Sequence, residues 1–284
     1  MKRLKIARVA LAGVLFVSMN LCFFGLAEGA SVLFGCQLLP AVLALNGVAV
    51  VAVLLATVLL GRVYCSTVCP MGVFQDIVMR IARMIRGKRP PRASALPAPP
   101  GGVRYVVLLA SAVLIALGLV SLGALFDGYS LYGRIATQVF KPAYSAVHNL
   151  AAAVLCEAGR PYLIREEVFV RGACALAVAL AGLVGIVALA WWRGRIFCNT
   201  LCPVGAALAV ASRRPLVRLA IDKSACVGCG LCAAACKCGA IDLGGRRVDD
   251  ASCVRCFNCL SVCRKSAVSF GLARAAKAPV RTDG

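Results

Sequence analysis

Eight cysteines near the C-terminus fall in two runs of one spacing. Cys226, Cys229, Cys232 and Cys236 read C-x2-C-x2-C-x3-C, and Cys253, Cys256, Cys259 and Cys263 repeat it. Three thiols this close in sequence can reach one cuboidal iron–sulfur cluster, and the fourth of each run then reaches the other. The spacing predicts two [4Fe–4S] clusters, one on Cys226, Cys229, Cys232 and Cys263, the other on Cys253, Cys256, Cys259 and Cys236. A zinc site is disfavoured, because zinc prefers four ligands built from well-separated pairs. The proline common after the fourth cysteine is absent, with Lys237 and Arg264 in its place. These cations, with Lys223, Arg255 and Lys265, are expected to favour the more negative reduced clusters and raise their potentials. Cys238 reads as a thiol with no ligand role.

Four further cysteines lie in a second repeat. GRVYCSTVCPMG (Gly61 to Gly72) returns as GRIFCNTLCPVG (Gly194 to Gly205). Helical spacing i, i+4 puts Cys65 with Cys69, and Cys198 with Cys202, on one face. Pro70 and Pro203 suit a helix start or a break. Two chemistries remain open. The four thiols could converge on a third metal centre, or each pair could act as a thiol–disulfide relay. Simple packing of small soft side chains is a poor account of two near-copies.

The elements that position these thiols are oily. The chain has 284 residues, 61% of them hydrophobic, and its 32 Lys and Arg against 11 Asp and Glu give a net charge of +21. Its mean hydropathy is +0.88. That combination points to a membrane protein with basic loops rather than a nucleic-acid binder, which would interleave basic residues with base-stacking aromatics. Seventeen cysteines, twelve of them in spaced motifs, read as ligands kept in a reducing compartment. Four segments have the ~20 apolar residues of a membrane helix: 9–27, 38–60, 103–126 and 172–192.

Basic residues orient them. MKRLKIAR and the stretch 61–104 are basic, whereas 28–37 carries no Lys or Arg and 127–171 is nearly balanced. Both termini and both CxxxCP motifs are therefore expected on the cytoplasmic side, with 127–171 an outer loop containing a helix around Thr137 to Cys156. The first span resembles a signal peptide in its basic start and AEGA ending, but its length favours a retained helix. The expected fold is a mainly α membrane protein: four transmembrane helices in two hairpin repeats, plus a small α+β domain of bacterial 2[4Fe–4S] ferredoxin type. The divisions are 1–86 (first hairpin, CxxxCP and an amphipathic helix), 87–102 (Pro-rich linker), 103–220 (second hairpin and CxxxCP), 221–272 (ferredoxin-like) and 273–284 (basic tail). The apolar residues Val73, Phe74, Ile77, Val78, Ile81 and Met84 recur at helical spacing, which predicts a helix lying on the anionic inner leaflet.

GRVYCSTVCPMGVFQD, FCNTLCP, YGRIA and the tandem cysteine runs together resemble NapH- and NosR-like membrane polyferredoxins, over nearly the whole chain. The resemblance is closer to the NapH type, since there is no room for a flavin-bearing outer domain. It implies electron transfer between the membrane quinone pool and a redox partner of unknown identity, as a component of a quinol dehydrogenase, in a bacterial inner membrane and without nucleic acid. The alternative is a redox factor that helps mature a metalloenzyme.

Other residues carry weaker expectations. Gln75 and Asp76, or Tyr129, Tyr132, Arg134, Lys141 and Tyr144, could contribute to a quinone site, against a background of interfacial anchoring. His148 is the only histidine, which excludes bis-histidine haem ligation from this chain alone. Asn20 and Asn46 are expected to bond between helices. Cys36 and Cys156 could pair on the outer side, and Cys22 and Cys174 read as packing residues.

Overall fold

The computed structural model describes residues 2–26, 32–87, 102–157 and 172–272. The linker and the basic tail fall almost wholly outside them, as do AEGA and the side chain of Cys156. Two helices among the described residues are long and apolar enough to cross a bilayer: Arg3–Phe24, within α1 (Lys2–Phe24), and α11 (Ala173–Arg193).

The other two expected spans do not form single helices. Segment 38–60 follows a short α2 (Val32–Gly35) and divides into α3 (Leu38–Leu43) and α4 (Gly47–Leu60). The break is a Schellman motif. Asn46 N–H donates to the Ala41 carbonyl and Leu45 N–H to that of Val42, with Leu45 at φ 53°. Asn46 then caps α4, its side chain accepting from Ala49 N–H at 3.2 Å. So Asn46 closes a turn instead of bridging helices. The 14 residues of α4 reach only about 21 Å, short of a bilayer's ~30 Å. The start of the segment lies against the first CxxxCP turn, where Leu38 N–H donates to the Tyr64 hydroxyl at 3.1 Å.

Segment 103–126 folds back in the same way. After α7 (Gly102–Ala116), Gly118 at φ 81° terminates the helix with the same pair of bonds, Leu119 to Leu114 and Gly118 to Ile115. The short α8 (Val120–Gly123) returns along α7; a Cβ on Gly123 would meet Ile115 and the Ser111 carbonyl. The chain arrives at Asp127 and Gly128, against the CxxxCP cysteines. Residues expected at the start of an outer loop thus lie beside the motifs expected on the opposite side.

From Gly128 the chain is helical to Glu157. α9 (Gly128–Ile135) runs through a π-helical segment (Ala136–Phe140) into α10 (Lys141–Glu157). Asp127 starts it by accepting from the Ser130 N–H and hydroxyl, both at 2.9 Å. The stretch expected as a loop with one internal helix is therefore helical from its first residues.

The two CxxxCP copies share one local fold. Each has a short helix, α5 (Tyr64–Thr67) or α12 (Ile196–Thr200), then the second cysteine as N-cap. A Pro-initiated helix follows, α6 (Pro70–Arg86) or α13 (Pro203–Ala211). α6 does not simply lie on a surface. Met71, Gln75, Val78, Met79 and Ala82 are buried, and it packs against α1, α9 and α11. Ile77, Ile81, Met84 and Ile85 form its exposed apolar stripe.

The C-terminal unit is framed by an antiparallel pair, β1 (Val217–Ile221) with β4 (Val268–Leu272), in register Leu219 to Phe270. A second pair joins β2 (Ile241–Asp242) to β3 (Arg247–Val248). Each cysteine run wraps into a short helix, α14 (Leu231–Ala234) or α15 (Asn258–Val262). Run one uses left-handed glycines, Gly228 and Gly230; run two puts Arg255 (φ 54°) and Phe257 (φ 59°) in the same places. Those two non-glycine residues carry backbone strain.

Candidate functional site

The two CxxxCP copies converge. Cys65, Cys69, Cys198 and Cys202 are all buried in one core, each no more than 8% exposed. Gly128 shows how close they lie, for a Cβ built there would sit 3.5 Å from Cys69 Sγ and 3.7 Å from Cys202 Sγ. Burial pushes the thiols of Cys69 and Cys202 well above their ordinary range and that of Cys198 up to about 11, with Arg195 acting against the rise at Cys198.

The two arginines of the GR pairs hold this site by a reciprocal swap. Arg62 donates to the Cys198 carbonyl (2.9 Å) and Arg195 to the Cys65 carbonyl (2.8 Å). Both are fully buried. Gly72 and Gly205 let this happen: a Cβ on either would run into the carbonyl of its own copy's first cysteine, and each lies beside the arginine of the other copy. Arg62 also donates to Asn199 Oδ1 (2.6 Å), the Ala251 carbonyl (2.9 Å) and Cys65 Sγ (3.9 Å). Around the thiols, Gln75 Oε1 accepts from Cys198 Sγ at 3.4 Å, and Gly205 N–H donates to Cys202 Sγ at 3.3 Å.

Asp76 is the electrostatic hub below them. Its carboxylate pairs with Arg8, Arg195 and Lys237, each at 2.8 Å. Burial alone would raise this carboxyl; Arg195, Lys237 and Arg8 outweigh burial and hold it well below the usual carboxylate range.

The ferredoxin-like unit docks through both of its runs. Arg195 N–H donates to the Lys237 carbonyl (2.9 Å), and Gly194 at φ 70° leaves room for it. Arg255 donates to the Leu60 carbonyl (3.2 Å), pairs with Asp250 (2.7 Å) and lies 3.9 Å from Cys253 Sγ. Those contacts explain why a strained left-handed position is occupied by arginine.

Seven of the eight run cysteines fall into two neighbourhoods. Cys232 has Cys226 and Cys263 as neighbouring thiols, while Cys259 has Cys256, Cys253 and Cys236. The second group is the inner one. Cys253, Cys256 and Cys259 are buried, and Cys256 and Val254 belong to the same core as the four CxxxCP thiols. In the first group Cys232 is buried and Cys226 and Cys263 are partly exposed; Cys229 is exposed. Cys238 packs against both cores and so lies at their junction, a position its spacing did not reveal. Two of the five cations expected to raise cluster potentials have carboxylate partners, Lys237 sharing Asp76 with two arginines and Arg255 pairing with Asp250.

Several of the remaining candidates have structural partners, although His148 Nδ1 is buried without one. Tyr132 donates to Asn20 Oδ1 at 2.7 Å, a bond between helices. Tyr144 stacks on Phe24, Tyr129 lies against Phe23 and Phe34, and Arg134 donates to the Ser121 carbonyl. Lys141 reaches Gly25. His148 lies 5.9 Å from the Tyr144 ring. Cys36 and Cys174 are exposed and Cys22 is partly buried. The sequence pattern had also not flagged Arg62, Arg195 or Gly128, although the arginines stand in the repeat at matching positions.

Comparison with known proteins agrees with this geometry. A family model described as a 4Fe-4S binding domain matches 42–89 and 176–223, one copy over each CxxxCP motif, and a second 4Fe-4S binding domain model matches 219–242. The uncharacterized protein MJ0750 of Methanocaldococcus jannaschii is 27% identical over 225 residues, 78% of this chain and 75% of that one. Regulatory protein NosR of Pseudomonas aeruginosa is 27% identical over 185 residues, 65% of this chain but 21% of NosR. YccM of Escherichia coli, which bears the name "Putative electron transport protein", is 25% identical over 202 residues, 70% of this chain and 47% of its own length. No solved structure matches. Matched cluster-binding domains and these relatives define an iron–sulfur electron-transport protein. Within that class the chain is similar to NosR-like polyferredoxins.

Proposed function

We propose that the chain is an integral membrane electron carrier that links the quinone pool to a redox partner. The observation that carries this reading is an apolar groove beside the CxxxCP core. It has a volume of about 370 Å³ and is lined by Phe126, Leu131, Gly185, Ile186, Phe197 and Leu201, among others. Phe197 and Leu201 flank Cys198 and Cys202 in sequence, so the groove's wall and the thiol site share one element. A long-tailed quinone needs such an apolar slot, of the size usual for small-molecule sites.

Order along the chain's own residues supports the rest. Cys236, Cys253, Cys256 and Cys259 form the inner ligand set, next to the CxxxCP core. Cys226, Cys229, Cys232 and Cys263 form the outer set, of which Cys229 is exposed and Cys226 and Cys263 partly so. When bound, [4Fe–4S] clusters supply one-electron transfer at potentials that the protein tunes. Exposed Val227, Leu231 and Leu243 lie near Cys229 in sequence or contact and give a partner protein an apolar landing area. Lys5 Nζ donates to Ser261 Oγ at 3.3 Å, which supports placing the N-terminus and the ferredoxin-like unit on one side, the cytoplasmic one by charge.

Gly185→Phe tests the reading. A side chain there has open space around its Cβ, so it fills the groove without striking backbone. Membranes carrying this variant are expected to lose reduction by a short-chain quinol while dithionite still reduces the clusters. Unchanged quinol-dependent reduction would remove the groove from the reading. Absence of quinol reduction in the unmodified protein would instead favour a maturation role.

A further inference from the structure

We propose that Cys65, Cys69, Cys198 and Cys202 together hold a third [4Fe–4S] cluster, with Arg62 as its buried counter-cation. The proposal stands apart from the quinone reading, because it rests on the charge and hydrogen-bond balance of the four-thiol core.

The first observation concerns Arg62. It is fully buried, yet among the described residues no carboxylate pairs with it. Its donors meet only an amide oxygen, two carbonyls and the Cys65 sulfur, and its Nε has no partner. A buried cation without a counter-charge is strongly disfavoured. Four thiolates around a [4Fe–4S] core carry net negative charge and supply the missing anion.

A second orphan points the same way. Gln75 Nε2 is buried without an acceptor, while Oε1 of the same amide receives Cys198 Sγ. Buried donors are almost always satisfied, and one that is not calls for a ligand or water. Cluster and ligand sulfurs accept such bonds, which is one of the ways a protein tunes a cluster. The third observation is Gly128, whose missing Cβ keeps the space beside Cys69 and Cys202 clear.

The arrangement argues against the competing occupants. A single zinc or copper ion draws its thiolates to about 2.3 Å from one point. Among the described residues no three His, Cys, Asp or Glu side chains converge that tightly. The eight run cysteines, whose spacing is that of cluster ligands, form no such tight group either. A thiol relay needs an accessible thiolate, and these four thiols are all enclosed.

The test uses the full-length protein purified anaerobically in detergent. Iron and acid-labile sulfide are expected at about twelve each per chain, against about eight for two clusters. Serine at Cys65, Cys69, Cys198 and Cys202 is expected to lower both to about eight while the ferredoxin EPR signals remain. Should that variant fail to fold, the unmodified protein's iron count with Mössbauer quantification of its clusters still decides. About eight irons in the unmodified protein would overturn the proposal, as would copper or zinc bound at the core in their place. Arg62→Met is expected to lower the midpoint potential of the third signal, and Arg62→Lys to restore most of it. Equal potentials in all three proteins would remove Arg62 from the counter-charge role.

Discussion

Replacing Asp76 with Asn tests the electrostatic frame of this molecule. The carboxylate meets three cations at 2.8 Å, and its side chain is only 12% exposed, with Arg195 fully buried beside it. Charge centres in such pairs lie about 4 Å apart. At an effective dielectric constant of about 20 each pair is worth about 4 kcal/mol before desolvation. Removing one partner of a buried pair typically costs about 3–5 kcal/mol, since desolvation offsets much of the Coulomb gain. Asp76→Asn also leaves three cations facing one another, so the upper half of that range is expected. The readout is the denaturant midpoint for loss of the clusters' visible absorption. Lys237→Met alone and in combination completes a double-mutant cycle. The double variant removes one unpaired cation, so it should be less destabilised than the sum of the single variants, by about 1–3 kcal/mol. The pH dependence has a definite sign. A carboxyl held below its unfolded value stabilises the fold above about pH 4, and that stability is lost as pH falls through the lower folded value. Asp76 should therefore contribute equally at pH 7 and pH 5. A loss below about 1 kcal/mol for Asp76→Asn, or strict additivity with Lys237→Met, would refute the reasoning.

Gly194→Ala combines a left-handed backbone (φ 70°) with a Cβ 2.6 Å from the Lys237 carbonyl, whereas Gly87→Ala has the same φ and open space around it. The first should cost at least about 1 kcal/mol more than the second in the same denaturant assay, where left-handed strain alone is about 1–2 kcal/mol. Arg255→Gly relieves strain at φ 54° but frees Asp250 and the Leu60 carbonyl. A net loss of about 2–3 kcal/mol is expected, since the broken buried pair outweighs the relaxed backbone. In protein stripped of iron, Cys229 should be the first of the run cysteines to react with a maleimide, and Cys253, Cys256 and Cys259 should react only after unfolding, as mass spectrometry of labelled peptides would show.

Much of the site was legible because ligand chemistry leaves fixed spacings. The two C-x2-C-x2-C-x3-C runs and the CxxxCP repeat were plain in the sequence, and seven of the run cysteines fall into two neighbourhoods in the fold. Convergence of the two CxxxCP copies was not legible, since no local pattern encodes a distance between residues 133 positions apart, as Cys65 and Cys198 are. The arginines that join them stood in the repeat but read as inside-positive charge. Paths through the oily segments were misread for a definite reason. Hydropathy reports the surroundings of a segment, whereas its path depends on where the helix stops. Gly118 and the Leu45–Asn46 pair stop helices inside apolar runs through two backbone bonds each, and both segments turn back. The expected effect of cations on cluster potential weakens likewise, because charge counting cannot see that Asp76 and Asp250 already pair with Lys237 and Arg255.

The reciprocal arginines bear on how such a chain is made. Arg62 completes the turn at Cys198 and Arg195 the turn at Cys65, so neither copy is finished by its own residues. Self-complementary exchange of this kind is the signature of a two-fold homodimer interface, here written once into a single polypeptide. On a ribosome, the first copy must wait for its guanidinium until residue 195 has emerged. Until then the Cys65 turn lacks the donor that closes it, and any cofactor held by all four thiols can enter only after most of the chain has been synthesised.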